Sequence, residues 1–200
     1  MVFCAYVVCY FYCQRKQFLK MIEDMNEFIP GDASISGGVI DYSKKFTIFT
    51  DGSALNNRAE APAGMAVYFP SVKVLRSKSM IGTNNQAELE AMRYALWYFM
   101  EQHKKWTVPD NTIYVFSDSE YVINSIQNKW KAKENMAKIR ICQKLIKWIK
   151  ATGFELRFIH VKAHTKKKDF ISLNNDIVDQ EARRCATEIR DSNVKQDSEI

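Results

Sequence analysis

From Lys45 onward, hydrophobic periodicity divides the chain into three strands followed by alternating helices and strands, an order that few folds satisfy. Pro70 and Ser71 separate the second strand from the third, so we expect these two strands to form an antiparallel hairpin. The later strand–helix–strand units need crossover connections, which join parallel neighbours. The pattern therefore predicts an α/β fold in which helices pack on a mixed sheet. The predicted strands are 45–51, 63–69, 72–80, 113–118 and 154–161, and the predicted helices are 83–102, 119–128, 136–151 and 174–190.

The two ends of the chain do not follow this pattern. The opening run MVFCAYVVCYFYC is shorter than the roughly 20 residues that cross a bilayer, and basic residues follow it instead of preceding it as in a secretory signal. We therefore predict a buried strand here, with membrane anchoring as the alternative, then a helix over residues 14–29 and a linker from Pro30 to Gly38. The predicted domain boundaries are an extension of unknown role at 1–43, a folded domain at 44–190 and a disordered polar tail at 191–200.

Charge and cysteine content indicate what kind of partner and compartment to expect. The formal net charge is +6 and the sequence pI is about 9.0, a balance that favours nucleic acid or an anionic membrane surface. The five cysteines are odd in number and irregularly spaced, which predicts reduced thiols in an intracellular protein, cytoplasmic or nuclear. Cys9 and Cys13 could form half of a zinc site, but no second pair accompanies them.

Four acidic residues occupy positions where a carboxylate is costly. Asp51 and Asp118 each end an apolar strand, where burial disfavours the charged form. Glu88 lies on the apolar stripe of the first helix, and Asp179 lies one turn ahead of small residues in the last. Local roles could explain each alone: Asp118 as a helix cap, Glu88 in a capping box with Asn85, and Asp179 at a helix N-terminus.

Together, the four acids are better explained by a shared site. If their elements pack in one layer, the carboxylates converge, and they repel one another strongly unless cations lie between them. Carboxylate oxygens suit hard Mg²⁺ or Mn²⁺ and not zinc. Two such ions roughly 4 Å apart can activate a water and stabilise the leaving oxygen in phosphodiester cleavage.

The segments that carry these acids resemble type 1 ribonuclease H in order, spacing and residue identity. The matching motifs are FTIFTDGS, TNNQAELEA, VFSDSEYV, HVKAHT and NDIVDQEA, and the resemblance covers about residues 44 to 190. It implies a ribonuclease H-like α/β fold: a five-stranded mixed sheet with helices on both faces. It also implies a metal-dependent endonuclease that hydrolyses the RNA strand of RNA–DNA hybrids with two Mg²⁺ ions, Mn²⁺ being possible.

The resemblance assigns roles to individual residues. Its catalytic, metal-binding carboxylates fall on Asp51, Glu88, Asp118 and Asp179. Asp176 competes for the last role, but the family spacing of an asparagine, an aspartate and an alanine matches Asn175, Asp179 and Ala182. His164 falls on the mobile-loop histidine of the family, which assists proton transfer or product release.

Further residues are expected to contact nucleic acid. The resemblance suggests contacts from Thr83, Asn84 and Asn85, and more weakly from Asn57. The stretch from Lys129 to Lys150 holds eight Lys or Arg and one acid, which favours a phosphate-tracking groove. The alternative is a solvated helix connection with its tryptophan folded back onto the core. The predicted contacts in this stretch are Lys129, Trp130 and Lys131, with Lys133 nearby.

Two other functions are compatible with parts of this pattern. One is a different nuclease of the same fold, such as a transposase or resolvase domain; the histidine loop and the TNNQAEL motif argue against it. The other is a non-enzymatic nucleic-acid-binding module, and the presence of all four acids argues against that. We expect a monomer whose partner is an RNA–DNA hybrid, with no small-molecule cofactor and no membrane association.

Overall fold

The computed structural model describes residues 40–56, 58–162 and 168–198, with the backbone alone described from 192 onward. The predictions for residues 1–39, for Asn57 and for His164 lie outside the described residues. The strands are β1 (Phe46–Ala54), β2 (Pro62–Phe69), β3 (Val74–Ile81), β4 (Thr112–Ser117) and β5 (Glu155–His160). The α-helices are α1 (Asn84–Gln102), α2 (Glu120–Ile126), α3 (Met136–Ala151) and α4 (Phe170–Ser198).

The five strands form one sheet in the order β3-β2-β1-β4-β5. The pairs β1–β2 and β2–β3 are antiparallel, while β1–β4 and β4–β5 are parallel, so the predicted hairpin and the predicted mixed sheet are confirmed. The third predicted helix is confirmed at both ends, from Met136 to Ala151. No α-helix within the described part of the chain is long and apolar enough to cross a membrane.

Buried side chains form a core on each face of the sheet, because successive residues of a strand point to opposite sides. Phe46 and Ile48 of β1 belong to the larger cluster, which α1, α2 and α3 cover. Phe49 belongs to a smaller cluster with Val178 and Ala182 of α4. The expected placement of helices on both faces is therefore confirmed.

The predicted end of β1 was wrong. The strand does not stop at Asp51 but continues to Ala54. Its parallel pairing with β4 ends at Phe49 opposite Phe116, whereas its antiparallel pairing with β2 runs on to Ala54 opposite Ala63. The turn-like residues after Asp51 are therefore held in the sheet by the second neighbour.

The last helix is longer than predicted at both ends. It begins at Phe170 and not at Asn174, because the Asp169 carboxylate accepts a hydrogen bond from the Ser172 amide at 2.8 Å and caps the first turn. The backbone of residues 191 to 198, for which the sequence predicts a disordered tail, is helical. Asp179 consequently lies well inside α4, and the interpretation that placed it at a helix N-terminus was wrong.

Candidate active site

Asp51 lies near the middle of the sheet, at the point where β1 has lost its parallel neighbour β4 but still pairs with β2. Its side chain is buried, and its Oδ1 accepts a hydrogen bond from the amide of Gly52 at 2.7 Å. Since β4 ends at Ser117, the edge beside Asp51 opens toward the residue that follows that strand, Asp118.

Glu88 is presented by α1, whose N-terminus packs directly on β1. A capping box starts this helix: Thr83 Oγ1 accepts from the amide of Gln86, and Gln86 Oε1 accepts from the amide of Thr83. The local interpretation that paired Asn85 with Glu88 in a capping box was therefore wrong. Glu88 lies in the second turn of the helix, one turn beyond the cap, and is free of a capping role.

Gly52 allows this close approach of helix and strand. A Cβ atom built at Gly52 would lie 2.1 Å from the Glu88 nitrogen and 2.2 Å from the Ala87 carbonyl carbon, a separation that no side chain could occupy. The glycine after Asp51 therefore fixes how near the Glu88 backbone comes to the Asp51 strand.

Two neutral side chains hold the Glu88 carboxylate. Asn84 Nδ2 donates to Glu88 Oε1 at 2.8 Å, and Ser119 Oγ donates to Glu88 Oε2 at 2.5 Å. Asn84 also accepts a hydrogen bond from the Ala54 amide at 3.1 Å, which ties it to the end of β1. Both oxygens of Glu88 are thus oriented before any ligand binds.

Asp118 follows β4 directly, as predicted from the sequence. It does not cap the next helix: Ser119 is the N-cap of α2, and its hydroxyl accepts from the Val122 amide at 3.3 Å. The Asp118 carbonyl lies 3.0 Å from His160 Nε2 at the end of β5. Asp118 is therefore positioned by its own turn and by the neighbouring strand.

The carboxylates of Asp51, Glu88 and Asp118 converge, with one oxygen of each lying within 4.8 Å of the others. Burial raises the pKa of Asp51 well above its ordinary value, and repulsion from Asp118, Asp179 and Glu88 adds to the rise. Burial likewise raises the pKa of Glu88 to about 7, opposed by the hydrogen bond from Ser119 and reinforced by repulsion from Asp118.

This donor set fits a hard divalent cation. Among the described residues it offers three carboxylates at short range and no sulfur or imidazole, which is the ligand chemistry of Mg²⁺ or Mn²⁺. The raised pKa values of Asp51 and Glu88 reflect desolvation and repulsion, which a cation between the oxygens would offset.

Asp179 stands apart from the three-carboxylate group. Its Oδ1 accepts from Arg183 Nε at 2.8 Å, one helical turn away on α4. It is still close enough to contribute to the raised pKa of Asp51. Asp176, the competing candidate, is half-buried on the preceding turn of α4 and is also outside that group.

The residues expected to contact nucleic acid are divided by the structure. Thr83 caps α1 and Asn84 is engaged with Glu88, whereas Asn85 is exposed. Lys129 and Lys131 are exposed in the connection between α2 and α3, together with Trp130, whose side chain is 49% exposed. Trp130 is thus half covered and half exposed, and its contact with nucleic acid stays a prediction.

Sequence reasoning missed the residues that orient the carboxylates. Ser119 is a recognisable cap before a helix, which could have placed its hydroxyl near the site, but nothing in the sequence joins it to Glu88. His160 gave no signal beyond its position at the end of a strand. Both contacts depend on the packing of α1 and β5 beside β4.

Comparison with known proteins gives one consistent result. The family model described as RNase H matches residues 43–187. The ribonuclease H of Chlorobium chlorochromatii is 32% identical over 134 residues, covering 61% of this chain and 85% of that protein. The ribonuclease H of Caldicellulosiruptor saccharolyticus is 30% identical over 161 residues, covering 74% of this chain and 99% of that protein.

A solved structure agrees with these sequence matches. The LC11 ribonuclease H1 in complex with an RNA/DNA hybrid superposes with a TM-score of 0.55 at 26% identity, covering 72% of this chain and 99% of that one. The family expected from the sequence motifs is confirmed, as is the fold. Because the family model spans well over half of its residues, the chain belongs to the RNase H family of nucleases.

Proposed function

We propose that this protein is an endonuclease that hydrolyses phosphodiester bonds in the RNA strand of RNA–DNA hybrids. The observation that carries the proposal is the convergence of Asp51, Glu88 and Asp118 within 4.8 Å, in a member of the RNase H family. Relatives named ribonuclease H, and a similar structure with a bound RNA/DNA hybrid, support the choice of substrate. We assign the activity to a domain spanning residues 44–190.

Asp51, Glu88 and Asp118 are the residues that would hold Mg²⁺, with Mn²⁺ as a substitute, and Asp179 is the proposed fourth ligand. Two divalent ions would supply activation of the attacking water and stabilisation of the leaving oxygen. The Glu88 carboxylate is held in place by the protein: Asn84 and Ser119 donate hydrogen bonds to its oxygens, and Gly52 lets α1 approach β1.

Other residues are proposed to bind the substrate and to move protons. Asn85 is exposed in the first turn of α1, three residues before Glu88, and could reach the hybrid there. The exposed cations Lys129 and Lys131 would neutralise phosphates near Trp130.

Asn57 stays a weaker candidate for substrate contact, and His164 is proposed to assist proton transfer or product release.

The core assignment is tested with Asp118→Asn, which keeps the shape of the side chain and removes its charge. We expect hybrid binding to survive and magnesium-dependent cleavage of a labelled hybrid to be abolished. Asp110→Asn is the matched control, since Asp110 lies just before the opposite end of β4 and is exposed. Near-normal turnover of Asp118→Asn in magnesium would contradict the assignment, while loss of cleavage of the RNA strand in both variants would indicate general damage.

We also propose that the chain acts as a monomer inside the cell. Cys142 and Cys185 are both free and buried in separate helices, which agrees with a reducing compartment, cytoplasmic or nuclear. Size-exclusion chromatography with light scattering, with and without a bound hybrid, tests the oligomeric state.

A further inference from the structure

The outward face of α3 carries basic and large apolar residues that take no part in the proposed active site. The helix carries five Lys or Arg and no acid over its 16 residues. Three large apolar residues of the helix are exposed: Met136 at 39%, Ile141 at 44% and Trp148 at 63%. Trp148 has the largest exposed fraction among the exposed large hydrophobic residues of the described chain. The indole of Trp148 is therefore accessible on a helix whose charged residues are all basic.

Helical geometry places these groups on one face. Ile141, Lys144 and Trp148 are spaced three and four residues apart, so they follow one another along a single stripe. Arg140 and Lys147 flank that stripe and are also exposed. The opposite face of the helix, which includes Ile139, Cys142 and Ile149, is buried against the core. We call Arg140, Ile141, Lys144, Lys147 and Trp148 the α3 face.

Among the side chains that the structure describes, none neutralises the cations of the α3 face. No carboxylate whose side chain the structure describes forms an ion pair with Arg140, Lys144 or Lys147. Lys138, on the inner side, does pair with Glu90 at 3.6 Å. The positive charge on the outer side is therefore available to a polyanion.

The α3 face also continues away from the carboxylate cluster. At the beginning of α3, on the inner side of the helix, Lys138 Nζ lies 3.5 Å from the carbonyl of Gln86 in the first turn of α1. At the other end of α3, the chain continues through Phe154 into β5. The first residue of β5 pairs with Thr112, which lies at the end of β4 remote from Asp118. A helix of this length extends about 24 Å, so the face leads from the site toward the far end of the sheet.

We propose that the α3 face binds single-stranded nucleic acid. An exposed indole between cations matches a groove that tracks phosphates while bases stack on an aromatic ring. A duplex would not use Trp148 in this way, because its bases are already stacked on one another and present only phosphates and groove edges. The expected ligand is therefore an unpaired strand, such as a single-stranded extension of a bound duplex. The proposal does not depend on the catalytic assignment.

The test measures the affinity of the full chain for labelled oligothymidylate at several salt concentrations. Trp148→Ala should weaken binding roughly 5- to 150-fold, the usual effect of losing a base-stacking ring. Trp148→Tyr, which keeps a ring, should retain most of the affinity. Trp97→Ala on α1 is the matched control, since Trp97 is 40% exposed but lies outside the α3 face. Cleavage of a blunt-ended hybrid should be unchanged in Trp148→Ala.

The cations are tested separately. The double variant Lys144→Glu, Lys147→Glu should weaken oligothymidylate binding and reduce its salt dependence by about 0.7 for each phosphate that is no longer neutralised. The control pair Lys44→Glu, Lys73→Glu changes the net charge equally at exposed positions outside this helix. Equal losses of affinity in the two double variants would overturn the proposal, as would undiminished binding in Trp148→Ala. Binding of phosphatidylserine vesicles that is lost in Trp148→Ala while oligothymidylate binding persists would assign the face to a membrane surface instead.

Discussion

Asp51 and Glu88 illustrate what it costs to place carboxylates together in a folded protein. Each is removed from water and faces other acids, so the folded state favours its protonated form. For Glu88 the pKa moves from 4.5 to about 7, which brings its titration into the physiological range. The arrangement is therefore least favourable when no cation is bound, and the pH dependence of stability should reveal it.

We predict that the metal-free protein loses stability as pH rises. A folded protein that holds a proton on Glu88 up to a pKa of about 7 binds more protons than the unfolded chain, where the value is 4.5. Stability therefore falls across that window and levels off above it. Glu88→Gln should flatten the decline and raise the melting temperature above pH 7, measured by thermal denaturation in a chelator. The decline should not vanish, because Asp51 contributes in the same direction.

Two further measurements make this prediction decisive. Glu101→Gln is the matched control, because it removes one exposed carboxylate near the end of α1 opposite to Glu88. Added Mg²⁺ should raise the melting temperature of the unmodified protein more at about pH 8 than at about pH 5, because cations and protons compete for the same oxygens. Identical pH profiles for Glu88→Gln and the unmodified protein would contradict the electrostatic account of the cluster.

His164 belongs to the same scale, although it lies outside the described residues. If it assists proton transfer or product release, His164→Ala should slow turnover about 10- to 100-fold, the usual range or below for one acid–base group. Metal binding, followed by the Mg²⁺-induced rise in melting temperature, should be unchanged. His103→Ala is the control, since His103 packs on Phe99 and Phe154. Full activity of His164→Ala would make this histidine incidental.

At the scale of elements, the sequence predicts the ends of strands and helices well where one hydrophobic periodicity runs through the whole element. It predicts them poorly where pairing with a neighbouring strand or a cap decides where the element ends. Helix α3 was predicted to the residue because its buried positions recur at helical spacing. The end of β1 was missed because Gly52 and Ser53 look like a turn but are paired with β2. The start of α4 was missed because its cap, Asp169, follows a lysine run that resembles a loop.

The candidate site shows the same division. Asp51, Glu88 and Asp118 were predictable because acids at the edges of apolar segments are conspicuous, and the structure brings them together. The hydrogen bonds of Asn84 and Ser119 to Glu88 were not predictable, since all three residues could satisfy themselves locally or in water. The ion pair between Asp179 and Arg183 agrees with their spacing of one helical turn. The role expected for Asp179 in the site does not predict this ion pair.

Packing of α1 on β1 supports a prediction at this scale. Gly52→Ala must push the helix away from the strand, because the new methyl group would overlap the backbone of Ala87 and Glu88. We expect a decrease of about 1–3 kcal/mol in the free energy of unfolding, the usual cost of overpacking. Affinity for Mg²⁺ should also fall, since Glu88 moves with its helix. Denaturant titration and calorimetry measure the two effects.

The control for this variant is another glycine. Gly153→Ala places a methyl group in open space between α3 and β5, at a backbone φ of +92°, so it strains only its own turn. It should lower stability without changing Mg²⁺ affinity. If Gly52→Ala bound Mg²⁺ as tightly as the unmodified protein, the spacing between β1 and α1 would not control the site.

For the whole molecule, the distribution of charge sets how it meets a polyanion. An acidic cluster at the centre is combined with a net charge of +6, so the binding cations must lie outside the site. Replacing Lys129, Lys131 and Lys133 with Ala should weaken hybrid binding for all sequences and flatten its salt slope by roughly one unit for each phosphate that is no longer neutralised. Turnover at saturating hybrid should change little. Hybrid affinity at several salt concentrations measures the slope.

The neighbouring tryptophan separates two explanations of that result. Trp130 is half exposed, so Trp130→Ala should cost little in melting temperature but about 1–3 kcal/mol in hybrid binding if its ring stacks on the nucleic acid. A lowered melting temperature with unchanged binding would mean that the ring supports the fold. Identical salt slopes for the triple lysine variant and the unmodified protein would exclude a phosphate-tracking role for the connection.

The parallel pairing of β1 with β4 has a consequence for how the protein acquires its activity. Thr50 and Phe116, joined by a hydrogen bond at the centre of the sheet, are 66 residues apart in the chain. Contacts between such distant segments close slowly during folding, whereas single helices form fast. Asp51 and Asp118 can meet only after this closure, so a refolding chain should regain its helical signal well before it regains Mg²⁺ binding. Recovered activity then marks the completion of the central sheet.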